Sequence, residues 1–200
     1  MSGRAKIAGI ILSGGASRRM GTPKALLRFR NETFLDRLIR VFSAFCDPVI
    51  VVVGQHADQI RAGIERGGEV LFAVNPDPER GMLSSLQCGL ALVPLEAAAA
   101  MFLPVDHPQI APLTVQSVVE RFHRDRSPVT VPVYRGEHGH PVCSARPLID
   151  ELLALPFDAK ASDIIHRHVA QTNYLEVLDE AVVTDVDDPA AYAELLARSV

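Results

Sequence analysis

Basic residues in one glycine-rich loop have the types and spacing needed to bind a phosphorylated ligand. The loop Leu12–Lys24 reads LSGGASRRMGTPK and directly follows an apolar run, Ile7–Ile11. Gly14 and Gly15 carry no Cβ, so the backbone can approach a ligand closely and point N–H groups at phosphate oxygens. Positive charge for the same oxygens comes from Arg18, Arg19 and Lys24. The loop has neither the Gly-Lys-Ser/Thr of a P-loop nor the G-x-G-x-x-G fingerprint of a dinucleotide-binding loop. The alternative to a phosphate-binding loop is a basic surface loop that only connects two elements.

Acidic residues that could hold a divalent cation occur at two places. Asp106 ends the run FLPVD, and Asp185, Asp187 and Asp188 lie close together near the end of the chain. Mg²⁺ favours one or two carboxylates together with phosphate oxygens and water. The alternatives are that Asp106 caps the turn after it and that Asp188, directly before Pro189, caps a helix.

Composition limits the class of protein to which the chain can belong. Its 200 residues, 48% hydrophobic and 22% charged, suit one globular domain over residues 1–200. A net charge of −4 argues against a general nucleic-acid or membrane surface. Cys46, Cys88 and Cys143 are few and far apart, which favours a reducing compartment. Without a signal-peptide pattern at MSGRAK, we expect a cytoplasmic protein.

Apolar runs of strand length alternate with stretches of helical period. The expected strands are Ile7–Leu12, Val49–Val53, Val70–Val74, Ala100–Val105, Val129–Val133 and Ala181–Val186. The expected helices are Phe34–Phe45, Ala57–Ile64, Leu83–Leu92, Leu113–Phe122, Pro147–Leu155, Ser162–His168 with Ser162 as N-cap, and Ala190–Ala197 after Pro189. Strands that are apolar throughout indicate a sheet covered on both faces, and alternation with helices indicates right-handed βαβ units. We therefore predict an α/β fold: a three-layer, Rossmann-like sandwich with a mostly parallel sheet and helices on both faces.

This fold would bring the candidate residues to one edge of the sheet. Open α/β sheets bind ligands at the carboxyl ends of their strands, where both the Leu12–Lys24 loop and Asp106 are expected. Ser84 and Ser85 would lie at a helix N-terminus, which favours anions, although ordinary helix capping is the alternative. Tyr134–Cys143, with two glycines and a proline, is expected to form an irregular hairpin or loop.

The order GGxSxRMGxPK after a first strand resembles the N-terminal signature of nucleotidyltransferases with a GT-A-like fold. Within these it most resembles the molybdenum-cofactor branch of cytidylyltransferases and guanylyltransferases. Four more segments resemble that branch in the same order along the chain: Asn75–Leu90, Leu103–Ile110, Gly139–Val142 and Asp185–Leu195.

The resemblance implies transfer of a nucleoside monophosphate from an NTP to a phosphorylated acceptor, molybdopterin, with Mg²⁺ as cofactor and pyrophosphate as product. In-line positioning and charge neutralisation would supply most of the catalysis. Lys24 would act on the α-phosphate and Arg19 on the leaving phosphates, while Arg18 could remain solvated. Asp106 and Asp187 would hold the metal, with Asp185 as the second choice for the latter.

Substrate-binding residues also follow from the resemblance. The nucleotide-binding set is Leu12, Ser13, Gly14, Gly15, Arg19, Lys24, Gly81, Ser84 and Ser85. His107 in the Asp-x-Pro motif and His140 in Gly-His-Pro are assigned to the acceptor, although His107 could instead contact the base. The double glycine resembles the guanylyl branch, whereas GMLSSL and GHPV favour the cytidylyl branch, so CTP is the expected donor and GTP the alternative. Phe157–Ser162 lacks the arginine of the branch, and Lys160 could replace its charge.

Two other functions are compatible with the sequence. One is a nucleotidyltransferase for sugar phosphates or other small phosphorylated molecules, which the short chain and the GMLSSL segment disfavour. The other is a non-catalytic nucleotide-binding chaperone for the cofactor, which the presence together of Lys24, Asp106 and Asp187 disfavours. In either cofactor-related function, a molybdoenzyme or its chaperone is the expected protein partner.

Overall fold

Ten strands and seven α-helices are formed by residues 5–156 and 159–198, the part of the chain that the computed structural model describes. The strands are β1 (Ile7–Ser13), β2 (Arg28–Phe29), β3 (Glu32–Thr33), β4 (Val49–Val53), β5 (Leu71–Val74), β6 (Ala99–Pro104), β7 (Val129–Tyr134), β8 (Glu137–His138), β9 (Val142–Ala145) and β10 (Thr172–Glu176). The helices are α1 (Phe34–Ser43), α2 (Ala57–Gly63), α3 (Met82–Leu90), α4 (Pro112–Asp125), α5 (Arg146–Ala154), α6 (Ala161–Arg167) and α7 (Pro189–Ala197).

The large sheet has the order β5-β4-β1-β6-β9-β7-β10, with β8 also paired to β7. Its first four strands are parallel, and β7 and β10 run in the same direction as these four. Only β8 and β9 run the opposite way among the described strands of this sheet. The predicted α/β fold with a mostly parallel sheet is confirmed.

Helices cover both faces of the sheet. Neighbouring residues of each central strand point to opposite faces, and because both sets are apolar, each face must be buried by helices. Ile11 of β1 joins an apolar cluster with residues of α1 and α4, such as Phe42 and Phe122. Ile10 joins the cluster on the other face with residues of α3 and α5, such as Leu86. All seven residues of β1 are buried. A strand buried in this way holds the loop that follows it at a fixed position on the sheet edge.

The predictions for the elements from β1 to α5 agree with the structure to within a few residues. The five strands expected from Ile7 to Val133 all form, and so do the helices expected from Phe34 to Leu155. Between β7 and β8, Arg135 and Gly136 both have positive φ, 51° and 85°, which closes the predicted hairpin. Pro189 begins α7 as expected.

Two predictions near the carboxyl end are wrong. Ala181–Val186 is not a strand, because the side chain of Asp179 accepts a hydrogen bond from the Ala181 N–H at 3.1 Å and the chain turns there as a 3-10 helix. The last strand is instead β10, whose mixed polar sequence reflects its place at the sheet edge. Ser162 is not an N-cap, because α6 begins one residue earlier, after Lys160.

No helix in the described residues is both long and apolar enough to span a membrane. Phe157 and Asp158, part of the segment Phe157–Ser162 that lacks the expected arginine, lie outside the described residues.

Candidate active site

The loop after β1 is folded back on itself so that it presents Lys24 at the carboxyl edge of the sheet. Ser17 adopts a positive φ of 49°, and its Oγ accepts a hydrogen bond from the Lys24 N–H at 3.0 Å. Pro23 fixes the backbone just before the 3-10 helix Lys24–Leu26. Ser17 was not among the predicted site residues, although it is the serine of the GGxSxRMGxPK pattern.

A glycine that was not predicted as a site residue, Gly54, lets this loop pack against the neighbouring strand. Gly54 directly follows β4, and a Cβ placed on it would lie 2.4 Å from the carbonyl oxygen of Gly14. A Cβ on Gly14 would in turn lie 2.7 Å from the Ser85 Oγ. The loop backbone is therefore held between β4 and α3. A glycine at the end of a buried parallel strand was the available sequence signal.

Two cations and two carboxylates from distant parts of the chain meet beside this loop. Lys24 Nζ donates hydrogen bonds to Asp106 Oδ2 at 2.9 Å and to Asp187 Oδ1 at 2.6 Å. Arg19 Nη2 donates to the other oxygen of Asp187, Oδ2, at 2.7 Å. The Lys24 side chain is only 13% exposed, whereas that of Arg19 is 64% exposed. The cluster thus has a largely buried lysine at its centre and a solvent-facing arginine at its rim.

The contacts within the cluster keep Lys24 and Asp187 charged. Burial disfavours the charge of Lys24, but hydrogen bonds to Asp187 and Asp106 outweigh it and hold the lysine pKa above its ordinary value. The hydrogen bond from Lys24, with a second from Arg19, lowers the pKa of Asp187. Both groups are therefore ionised at neutral pH.

The three acidic residues near the end of the chain have three different positions. The Asp106 carbonyl accepts a hydrogen bond from the Val186 N–H at 2.8 Å, which brings Asp187 beside Asp106. Asp188 caps α7, since its Oδ1 accepts hydrogen bonds from the N–H groups of the first turn at 2.9 and 3.0 Å. Asp185 lines a separate small cavity on the surface of α7. The structure thus brings Asp187, and not Asp185, to Lys24.

A cavity of about 390 Å³ opens beside the cluster. Its lining contains most of the predicted nucleotide-binding, catalytic and metal-binding residues: Leu12, Ser13, Gly15, Arg19, Lys24, Asp106 and Asp187. Arg18, which was expected to remain solvated, also lines it. Ile60 and Glu79, which were not predicted, also line it. Arg18 Nη2 donates a hydrogen bond to Glu79 Oε1 at 2.7 Å, so this arginine is paired as well as exposed.

The predicted residues at the start of α3 lie behind the loop. The described residues that line the cavity do not include Gly14, Gly81, Ser84 or Ser85. The buried Asn75 donates hydrogen bonds from Nδ2 to the Oγ atoms of both serines, each at 2.9 Å. Ser84 Oγ also donates to the Gly81 carbonyl at 2.8 Å. Their role in binding a nucleotide remains a prediction, and Asn75 is the residue that positions them.

The two predicted acceptor residues lie together next to Asp106. His107 is buried, and its Nδ1 donates a hydrogen bond to the Ala181 carbonyl at 3.1 Å. Its Nε2 lies 4.0 Å from Asp106 Oδ1. The ring centroid of His140 is 5.3 Å from that of His107. Burial and the neighbouring His107 lower the pKa of His140 to about 4, so this imidazole is neutral at pH 7.

The donor set of the cluster fits a hard divalent cation. In the described part of the chain, no group of three or more His, Cys, Asp or Glu side chains is arranged to hold a metal ion. The carboxylates of Asp106 and Asp187 nevertheless lie close enough together to bind the same ammonium group, that of Lys24. Two carboxylates completed by phosphate oxygens and water are the ligands that Mg²⁺ prefers.

A mostly parallel sheet with a glycine- and arginine-rich loop after its first strand, and a lysine between two aspartates at the same edge, defines a class of α/β proteins that bind phosphorylated substrates. The family described as MobA-like NTP transferase domain matches residues 9–172. The chain belongs to this family and is a nucleotidyltransferase, which confirms the resemblance seen in the motifs.

Curated relatives and solved structures agree with this assignment. The chain is 24% identical over 182 residues to the molybdenum cofactor cytidylyltransferase of Escherichia coli K12, covering 90% of each chain. It is 34% identical over 110 residues to a probable molybdenum cofactor guanylyltransferase of Synechococcus elongatus, covering 55% of each. The crystal structure of Rv0371c from Mycobacterium tuberculosis has a TM-score of 0.86 and 32% identity, covering 98% of this chain and 99% of that one. A manganese complex of Rv0371c has a TM-score of 0.81 and 30% identity, covering 98% and 100%.

Proposed function

We propose that this chain is a Mg²⁺-dependent nucleotidyltransferase that transfers CMP from CTP to the phosphate of molybdopterin and releases pyrophosphate, with GTP as the alternative donor. The observation that carries the proposal is the placement of Lys24 between Asp106 and Asp187, at the mouth of a cavity lined by the Gly15–Arg19 loop. The proposed transferase domain takes up residues 1–200.

In the proposed reaction, an oxygen of the acceptor phosphate attacks the α-phosphorus of the NTP, and the bond from that phosphorus to the β-phosphate oxygen breaks. The acceptor phosphate is already an anion, so no side chain has to remove a proton from it. Lys24 would neutralise the negative charge that builds on the α-phosphoryl oxygens. Arg19, at the exposed rim of the cavity, would bind the leaving pyrophosphate.

Asp106 and Asp187 would hold the metal ion. When bound, Mg²⁺ supplies further neutralisation of the phosphate oxygens. The two carboxylates approach from different elements, the end of β6 and the segment before α7, and the hydrogen bond from Val186 N–H to the Asp106 carbonyl keeps them together.

The molybdopterin acceptor follows from the names of the relatives, which do not separate CTP from GTP: the cytidylyltransferase is similar over 90% of its length and the guanylyltransferases of two Bacillus species over 88% of theirs. The choice of CTP rests on the GMLSSL and GHPV segments. His107 and His140 lie on the side of Asp106 away from the loop, where the acceptor would approach. A molybdoenzyme or its chaperone would receive the product. A cytoplasmic location fits three cysteines that are all free.

The test is pyrophosphate release from CTP and from GTP, with molybdopterin as acceptor and with Mg²⁺ or EDTA present. We expect release with CTP that needs Mg²⁺ and is lost in Asp187→Asn. Asp185→Asn is the matched control, because this aspartate lies two residues away in a different cavity. Equal loss in both variants would contradict the assignment of the metal site. Nucleotide binding without pyrophosphate release would favour the chaperone function.

A further inference from the structure

Two pairs of aromatic rings, His107–His140 and His138–Tyr174, lie between Asp106 and the edge strand β10, and we call these four rings the ring row. His107 is followed by His140 at a centroid distance of 5.3 Å. His138 is two residues before His140, and its ring stacks on Tyr174 with a centroid distance of 4.7 Å and an interplanar angle of 20°. The stacked pair at the outer end has no place in the reaction described above.

The register of the strands places the outer pair, His138 and Tyr174, on one face of the sheet. His138 pairs with Val133 and Tyr174 pairs with Val131, and these valines lie two residues apart on β7. Val131 belongs to the same apolar cluster as Phe102 of β6. The His140 ring packs against Phe102 with a centroid distance of 6.5 Å. The outer pair therefore lies on the α3–α5 face of the sheet, and His140 contacts a residue of the apolar cluster on that same face.

The polar groups of this row are available to a ligand. In the part of the chain that the structure describes, the ring nitrogens of His138 and His140 and the hydroxyl of Tyr174 take part in no hydrogen bond. His138 is exposed, and Tyr174 is 37% exposed. A flat molecule with nitrogen and oxygen atoms at its edge could stack on the outer pair and bind the ring nitrogens of His140.

The ring row and the triphosphate cavity lie on opposite sides of Asp106. The cavity is lined by the segments after β1, β4 and β5, for example Arg19, Ile60 and Glu79. The rings belong to segments next to β9, β7 and β10, on the other side of β6. A planar ligand on the row would thus approach the reacting phosphate from the side that the NTP does not occupy.

We propose that the stacked pair His138–Tyr174 is the binding site for the planar heterocyclic ring system of the acceptor. This inference rests on the proposed function, because it assigns the acceptor to the histidine side of Asp106. The pair gives specificity for a fused, flat heterocycle. It would disfavour the non-aromatic ring of a sugar phosphate, which has no π-face to stack on these side chains.

The test measures binding of a fluorescent pterin, 6-hydroxymethylpterin, in the presence of CTP and Mg²⁺. Tyr174→Leu and His138→Leu should each weaken pterin binding about tenfold, whereas Tyr174→Phe should retain it, since a base–aromatic stack depends on the ring. In steady-state assays with molybdopterin, the same leucine variants should raise the acceptor KM without changing the KM for CTP.

Tyr134→Leu is the matched control, because Tyr134 is the neighbouring tyrosine on β7 and packs in the cluster on the opposite face. The inference is overturned if the wild-type protein does not bind the pterin, or if the leucine variants bind it as tightly as the wild type. The proposed function is tested separately, because it fails if no pyrophosphate is released with molybdopterin. The pterin titration would still test whether His138 and Tyr174 bind the heterocycle.

Discussion

Lys24 is the residue at which the electrostatics of the site converge. Its ammonium group is nearly buried, binds two carboxylates at 2.9 and 2.6 Å and keeps its charge. Truncating it leaves Asp106 and Asp187 facing each other without the cation between them. Two neighbouring negative charges in a partly buried site repel each other and raise the free energy of the site, and an incoming triphosphate would add more negative charge.

We expect Lys24→Ala to lower the rate of pyrophosphate release by about 100-fold or more, the usual cost of losing one group that stabilises charge in a transition state. Lys6→Ala is the control, since Lys6 also binds an aspartate, Asp47 at 2.7 Å, but on the exposed surface. Circular dichroism would verify that both variants fold. Turnover of folded Lys24→Ala within a few-fold of the wild type would show that the charge of Lys24 is not used.

His140 makes the stability of the fold depend on pH. Its pKa is about 4 in the folded protein because burial and His107 disfavour the charged imidazole, against an ordinary value of 6.5. Between these two values the unfolded chain binds a proton at this position and the folded chain does not. Lowering the pH therefore favours the unfolded state, and the stabilising contribution is complete only above pH 6.5.

Between about pH 7.5 and about pH 4.5, His140 should account for a loss of about 2–3 kcal/mol in the free energy of unfolding. The measurement is urea denaturation of the wild type and His140→Phe at both values. Phenylalanine keeps a ring against His107 and Phe102 but cannot titrate. The same pH dependence in both proteins would mean that the imidazole is not held neutral.

At the scale of elements, the central strands could be predicted from sequence because both of their faces are buried. β1 and β4 are apolar at every position or nearly so, and their bounds differ from the prediction by one residue at most. The loop and Asp106 then follow from the rule that ligands gather at the carboxyl ends of such strands.

The elements that could not be predicted owe their structure to contacts between distant residues. Ala181 and Val182 are apolar and buried, as strand residues would be. The chain turns there at Asp179, whose Oδ2 accepts hydrogen bonds from the Ala111 N–H at 3.0 Å and from the Thr114 hydroxyl at 2.6 Å, 68 and 65 residues away. Asn75 holds two serines of α3 across nine and ten residues. Neither contact has a periodic signature.

The close approach of β4 to the loop leads to a prediction about Gly54. Gly54→Ala would place a methyl group 2.4 Å from the Gly14 carbonyl oxygen, so the loop or the end of β4 must move. We expect a loss of about 1–3 kcal/mol in stability and weaker CTP binding. Gly68→Ala is the control, since a Cβ there meets nothing within 4 Å. Unfolding curves and a CTP titration test this, and unchanged CTP affinity in Gly54→Ala would contradict it.

At the scale of the whole molecule, the order of strands would place the two proposed substrates on opposite sides of one pair of carboxylates. The segments after β1, β4 and β5 line the cavity that we propose for the triphosphate, while His107 and His140 lie on the β6 and β9 side of Asp106. Asp187 arrives from the segment before α7, so the site requires residues from both ends of the chain. Folding of the entire domain is therefore needed to assemble the site.

The most direct test of this account is the thermal unfolding of the protein with CTP or GTP, in Mg²⁺ or in EDTA. A ligand at about 100 times its Kd should add about 2.7 kcal/mol of stability, which for 200 residues raises the Tm by roughly 5–10 °C. We predict such a shift with CTP and Mg²⁺ for the wild type and Asp185→Asn, and its loss in EDTA and in Asp187→Asn. A shift that is the same in EDTA, or is retained in Asp187→Asn and lost in Asp185→Asn, would contradict the assignment of Asp106, Asp187 and Lys24 as the metal-dependent triphosphate site.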